Sequence, residues 1–325
     1  MTARDPIHRS EDILNKEPAI SVIRTLIYYD VFDYPLSLQE ILGNSVLAPA
    51  ERLKLTQILD LLTDRGIVFN IDGYYSLTND PSKVKARIKG NNKALRWMEK
   101  AKWFAGLISR FPYIRGVSVS GSLSKGFLGN DPDIDYFIIT QPNRLWLART
   151  FLVAFKKVFL LNSYKYFCIN YFIDTESLEI EEQNLFTATE IVTMIPMSGN
   201  GLKDEFLNCN GWINKYYPNY SKTNNFTLQE NKKGPGNSFL EFFLNNSLGD
   251  RLDSYFMKIT TRHWKKKFGD KFPEEEFRLV FKSNKRISKH HPRNFQKKVL
   301  VEFEKRKARL ENEMNINLEN VVFQL

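Results

Sequence analysis

The sequence predicts a mixed α+β protein with an N-terminal three-helix module carrying a β-hairpin, a small central α/β sheet, and a helical, basic C-terminal region. Three observations predict it. Residues 20–78 alternate helix-period and strand-period patterns around clear turn signals. Two apolar strands flank a Gly-Ser turn and an Asp-x-Asp pair between Val117 and Thr140. From Phe239 onward helical patterns dominate, mixed with clusters of Lys and Arg.

The N-terminal module is read as residues 1–82. "AISVIRTLIYYDVF" places apolar residues at helical spacing, and "PLSLQEIL" follows with Pro35 suited to open a short helix. "AERLKLTQILDLLTDRG" is a third, amphipathic helix closed by Gly66. "IVFNIDGYYSL" then gives two short strands around Asp72-Gly73, a strong hairpin signal. Three helices and a hairpin in this order resemble a winged helix-turn-helix domain. Residues 20–80 contain four Lys/Arg against eight Asp/Glu. Such a module has little of the counterion-release drive that underlies DNA affinity, so a protein-contact or structural role is expected of it.

The central domain is read as residues 83–220. A helix from about Lys83 to Arg110 leads to the strand–turn–strand stretch. "PNRLWLARTFLVAFKKVFLL" reads as a helix, "YKYFCINYFID" (Tyr164–Asp174) as a buried strand, and "LFTATEIVTMI" as a helix stopped by Pro196. The polar segment 221–237, punctuated by "GPG", reads as a linker. Residues 238–325 form the basic helical region.

Composition narrows the class. The 325 residues are 42% hydrophobic and 26% charged, with a net charge of +10. That charge is local: residues 258–309 hold 18 Lys/Arg against 6 Asp/Glu, and the rest of the chain 29 against 31. Affinity for a polyanion, whether RNA, DNA or a phosphorylated acceptor, is therefore expected of segment 258–309. Two cysteines, Cys168 and Cys209, suit a reduced cytoplasmic chain. The N-terminus has no apolar core of a signal peptide, and the longest apolar run, Leu145 to Leu161, is broken by Arg149, Lys156 and Lys157, so no membrane span is expected. The His290-His291 pair lacks metal-ligand spacing and reads as part of a solvated basic loop; Cys168 reads as core, and Arg144 and Arg149 as surface or structural residues.

The Asp pair carries the chemistry. Alternate residues of a strand share a face, so Asp133 and Asp135 point the same way. Two crowded carboxylates repel, and a divalent cation removes the conflict. Mg²⁺ is usually held by one or two carboxylates together with substrate phosphates. Upstream, "SGSLSKG" (Ser120 to Gly126) supplies phosphate donors: Gly121 permits close backbone approach, Ser122 and Ser124 offer hydroxyls, and Lys125 adds charge. The pair is therefore expected to hold Mg²⁺ against a nucleoside triphosphate.

"GSLSKG" followed by "DPDIDYFIIT" resembles the signature of the DNA polymerase β-like nucleotidyltransferase superfamily, directly over about twenty-five residues and loosely over residues 95–200. The resemblance implies that Gly121 and Ser122 bind triphosphate, that Asp133 and Asp135 bind two Mg²⁺ ions, and that a third carboxylate lies on a neighbouring strand. Asp174 is the candidate for that third acid; Asn170, the one internal polar residue of the strand, cannot act as a base. The implied activity is transfer of a nucleoside monophosphate from an NTP to an acceptor hydroxyl of a small molecule, protein or RNA. The alternative is a degenerate family member acting as a nucleotide- or nucleic-acid-binding regulator, with modification of a partner protein a third option. An acid within metal reach of Asp133 favours the enzyme; an amide there favours the regulator.

Overall fold

A computed structural model describes residues 16–220, 235–314 and 316–318. The linker expected at 221–237 lies mostly outside the described residues. The elements, in order, are α1 (Glu17–Asp30), β1 (Leu36–Ser37), α2 (Leu38–Asn44), α3 (Arg52–Asp64), β2 (Phe69–Ile71), β3 (Tyr74–Ser76), α4 (Pro81–Ser109), β4 (Ile114–Ser120), α5 (Gly121–Ser124), β5 (Asp135–Thr140), α6 (Leu145–Phe159), β6 (Cys168–Asp174), α7 (Leu185–Thr193), β7 (Ile195–Ser198), α8 (Leu202–Cys209), α9 (Pro235–Leu244), α10 (Ser247–Phe268), α11 (Glu274–Val280), β8 (Ile287–Lys289) and α12 (Phe295–Met314). The fold is mixed α+β with two sheets. Among the described residues no helix is long and apolar enough to cross a membrane.

The N-terminal part packs α1, α2 and α3 beside a small antiparallel sheet of order β1-β3-β2. Asp72 and Gly73 both take positive φ in the turn joining β2 to β3, as the hairpin signal requires. Helix α2 does not open at Pro35. Leu36 and Ser37 pair with β3, and Ser37 caps the helix in a capping box with Glu40, whose carboxylate accepts the Ser37 N–H at 2.8 Å. A Ser three residues before a Glu outcompetes a Pro as a start signal because it satisfies two orphan N–H groups.

This part does not close its own core. Val299, Phe303 and Leu310 of α12, with Leu318, are buried among Ile20, Ile23, Ile27 and Leu59. Arg306 of α12 pairs with Asp30 at the end of α1. The C-terminal helix thus completes the N-terminal core, which residues 16–82 alone would leave open. Phe303→Ala is expected to destabilise the chain by about 3–5 kcal/mol, the usual cost of deleting a buried ring, as read from the urea midpoint; a change below about 1 kcal/mol would deny this helix its place in the core.

The central sheet has order β7-β4-β5-β6-β8, antiparallel except for the parallel β5–β6 pair. One face buries Val117, Val119, Tyr136 and Ile138 against α4, α6 and α10; the other buries Phe137 and Ile139 against Ala188 and Ile191 of α7 and Phe206 of α8. Two strands escape the sequence patterns. After α7 the chain turns straight into β7, an edge strand that tolerates Pro196. The C-terminal region is not wholly helical: it returns β8 to the opposite edge, beside β6.

Part of the basic segment is paired with carboxylates. Lys282, Arg286 and Lys289 meet Glu181, Glu176 and Glu182 of the central domain, while Lys297 meets Glu276. Part of the segment's charge is thus answered by carboxylates, while Lys265 and Lys266 stay exposed. His290 and His291 are not a solvated loop. His290 packs against Trp264 with ring centroids 4.8 Å apart, and the His291 N–H donates to the Val280 carbonyl at 3.0 Å. Burial pushes their pKa values down to about 4 and about 3, so both are neutral at physiological pH.

Candidate active site

The site forms where β4 ends and β5 begins. Ser120 stands opposite Asp135 in the antiparallel ladder, so the Gly-Ser turn and the Asp pair meet at one end of the sheet. The turn is a single helical turn, α5, entered through Gly121 at φ +68°. Gly121 is required on two counts. Its backbone is in the left-handed region, and a Cβ there would lie 2.4 Å from Asp135 Oδ2. The absent side chain is the space in which the Asp135 carboxylate sits.

Asp135 opens β5, whereas Asp133 lies in the preceding loop rather than on the strand. The two carboxylates converge nonetheless: an oxygen of each and the Cys168 Sγ all lie within 4.8 Å of one another, a group that could hold a metal ion. Register explains the Cys, since Cys168 on β6 pairs with Asp135. The β5–β6 register then slips between Tyr136 and Phe137, which leaves Asn170 as the extra residue. Its side-chain amide donates to Asp135 Oδ1 at 2.9 Å.

The electrostatics suit a cation. Burial, with Asp133 next in weight, pushes the Asp135 carboxyl up to about 7, and burial also raises Asp133. Burial and the two carboxylates push the Cys168 thiol well up, so it remains protonated. A hard oxygen-seeking ion fits this donor set, and the missing thiolate disfavours a zinc site. Asp135's folded pKa lies above its unfolded value, so stability gained from its proton grows as pH falls from about 7 toward 4. Metal binding requires the ionised form and has the opposite slope. Mg²⁺ affinity is therefore expected to rise with pH, about tenfold from pH 6 to 8, and to level off above pH 8; a titration flat across this range would contradict a protonated Asp135.

Several expected site residues are placed elsewhere. Asp174 is not the third acid. It pairs with Thr140 at the far end of the β5–β6 ladder, about 17 Å from Asp135 by strand rise. There it is buried and accepts the Glu176 N–H at 3.0 Å, fixing the turn after β6. The neighbouring-strand position beside Asp135 is held by the Asn170 amide. Ser124 faces inward, its hydroxyl donating to the Gly121 carbonyl at 2.9 Å. Lys125 is held at 2.6 Å by Glu190. Ser122 remains exposed at the cleft mouth. Arg144 is structural, buried and paired with Asp250.

Glu190 and Cys168 are the residues that sequence reasoning missed. Glu190, on α7, accepts the Gly121 N–H at 3.2 Å and contributes to the raised pKa of Asp135. No spacing signal points to it, because only the packing of α7 against the sheet brings it to the turn. Cys168 was legible as an apolar-strand residue but not as a neighbour of the Asp pair.

The pair opens into a cleft of about 2050 Å³, lined by Tyr28 and Tyr34 of the N-terminal part, the Gly-Ser turn, Arg149 and Lys156 of α6, and Lys267 and His290 of the C-terminal region. Comparison of the chain with protein-family models, with curated proteins and with solved structures finds no match.

Proposed function

We propose that this chain is a metal-dependent nucleotidyltransferase that moves a nucleoside monophosphate from an NTP to an acceptor hydroxyl. The observation that supports it most is the Asp135 carboxylate seated in the space of the missing Gly121 side chain, with Asp133 within ligating distance. In the reaction the acceptor hydroxyl oxygen attacks the α-phosphorus and gives up its proton to solvent, the new O–P bond forms in line with the α–β bridging oxygen, and pyrophosphate leaves with the electrons of the broken bond. Mg²⁺ bound by Asp133 and Asp135 would neutralise charge on the phosphates and lower the cost of crowding the two carboxylates. Asn170 and the Cys168 thiol orient Asp135, and Ser122 presents its hydroxyl at the cleft mouth. The cleft exceeds the 300–1,000 Å³ of an ordinary small-molecule pocket, leaving room for an acceptor beside the nucleotide.

Incubation with Mg²⁺, cell lysate and either α- or γ-labelled NTP tests this reading. Label from the α position is expected on the acceptor, and label from the γ position in pyrophosphate. Transfer of γ label would make the chain a kinase instead.

A second reading, a nucleotide-responsive regulator, draws on two observations. An amide stands beside Asp135 where the superfamily carries an acid, and Glu190 already holds the Gly121 N–H. Tight, Mg²⁺-dependent NTP binding without release of pyrophosphate from any lysate fraction would favour it.

A further inference from the structure

The cleft has two unlike walls. On the α7 side, Lys125 is neutralised by Glu190. On the α6 side, Arg149, Lys156 and Lys267 have no carboxylate within 4.0 Å among the described residues, although Lys156 is only 5% exposed. They converge through aromatic rings. The Arg149 guanidinium lies 4.7 Å from the centre of the Trp264 ring, and the same ring packs 4.8 Å from His290. His290 packs in turn on Phe268, whose ring lies 5.3 Å from the Lys267 ammonium. Lys156 sits two turns beyond Arg149 on α6, its ammonium 3.8 Å from the Tyr164 ring. The Asp pair reaches this group through Cys168, the Tyr164 hydroxyl lies beside Arg149, Lys157 adds to the positive charge at Lys156, and Glu275 and Glu276 line the same cleft.

Like charges gathered in a partly enclosed wall repel one another and resist desolvation. The arrangement is relieved by a bound anion. Burial and the neighbouring cations keep His290 neutral, so it can accept or donate a single hydrogen bond without adding to the repulsion. We propose that Arg149, Lys156 and Lys267, gathered around Trp264 and His290, bind the phosphate group of a small phosphorylated acceptor. This rests on the nucleotidyltransferase reading for the word acceptor; the anion site itself does not. The donor's elements lie on the other side: the Gly121 turn is tied to Glu190 of α7, and Asp135 shares its face with Phe137 and Ile139, which pack under α7. A phosphate held against α6 would bring the rest of its molecule to the Asp pair from the opposite direction, as in-line attack requires. A small molecule is favoured over RNA because Lys156, only 5% exposed, and the half-buried Arg149 are recessed in the cleft wall rather than spread along an open surface.

Titration of the full chain with inorganic phosphate and with glycerol 3-phosphate, followed by ³¹P NMR in EDTA at fixed ionic strength, tests the site. Both are expected to bind without metal. Arg149→Gln, Lys156→Gln and Lys267→Gln are each expected to weaken binding about tenfold, the loss of one charge-assisted hydrogen bond. Lys265→Gln and Lys266→Gln, on exposed faces of the same helix, are expected to change nothing. Lys267 is itself exposed at the end of α10, so its variant folds even if the α6 variants do not. The Mg²⁺·NTP-dependent rise in melting temperature is expected to persist in the Lys267 variant. Absence of phosphate binding by the wild type, or equal weakening in the Lys265 variant, overturns the proposal. So does loss of the Mg²⁺·NTP effect in the Lys267 variant, which would assign the cations to the donor's triphosphate. Displacement of phosphate by a thirty-nucleotide RNA with a steep salt dependence would make the ligand nucleic acid and overturn the small-molecule assignment. Phosphate binding intact in EDTA with no Mg²⁺·NTP effect in the wild type would instead remove the nucleotidyltransferase reading and leave the anion site standing.

Discussion

Asp135→Asn is expected to abolish nucleotidyl transfer and, at the same time, to make the ligand-free protein more stable. The loss follows from its place in the site. Asp135 supplies one of the two carboxylates that would hold the metal, and charge neutralisation by a bound metal is worth several kcal/mol of transition-state stabilisation, so a fall of about a thousandfold or more is expected. The gain follows from the same crowding. Burial and Asp133 raise the Asp135 carboxyl to about 7, which means that keeping it ionised at pH 8 costs the fold on the order of 2–4 kcal/mol. Asparagine removes that charge, can still accept from Asn170, and offers its amide to Asp133. A higher melting temperature at pH 8, with the difference from wild type shrinking as pH falls toward 4, is the expected signature. A variant that loses activity and also melts lower at pH 8 would assign Asp135 an ordinary structural role.

Gly121→Ala is expected to be nearly as damaging, and Gly126→Ala provides its control. Both glycines are in the left-handed region, at φ +68° and +71°. An alanine at either therefore meets similar backbone strain, about 1–2 kcal/mol. Only at Gly121 does the new Cβ collide, 2.4 Å from Asp135 Oδ2; at Gly126 nothing lies within 4 Å. The Asp135 carboxylate would have to move by about an ångström, and displacements of that size cost roughly a hundredfold in rate. Gly121→Ala should thus lose Mg²⁺-dependent NTP binding, while Gly126→Ala should lose only stability. Equal effects of the two substitutions would show that the turn matters for its backbone alone and not for seating the carboxylate.

These residues mark how far the sequence was legible. The Gly-Ser turn, the Asp pair and the strands that carry them are contiguous, and a contiguous pattern states its own geometry: antiparallel pairing brings Ser120 opposite Asp135 with nothing else required. The Asp72-Gly73 hairpin and the amphipathic helix α3 were legible for the same reason. Asp174 was not, because its role depended on which end of a parallel strand pair it occupied. Register places it beside Thr140, at the end away from Asp135. Lys125 reads as a phosphate ligand only while Glu190, 65 residues later, is unseen. Strand β8 lies in a basic stretch too short to show alternation, and β7 contains a proline that only an edge strand accommodates. The closing of the N-terminal core by α12 joins residues almost 300 apart, beyond any local pattern.

The most direct measurement of the central claim is the melting temperature of the full chain with Mg²⁺ alone, with each NTP alone in EDTA, and with both together, for wild type and Asp133→Asn. If the carboxylate pair holds a metal against a nucleoside triphosphate, at least one NTP raises the wild-type melting temperature only when Mg²⁺ is present, by the equivalent of about 2.7 kcal/mol at a hundred times its dissociation constant, and Asp133→Asn does not respond. No shift with any NTP at millimolar concentration, or a shift that survives in Asp133→Asn, would contradict it.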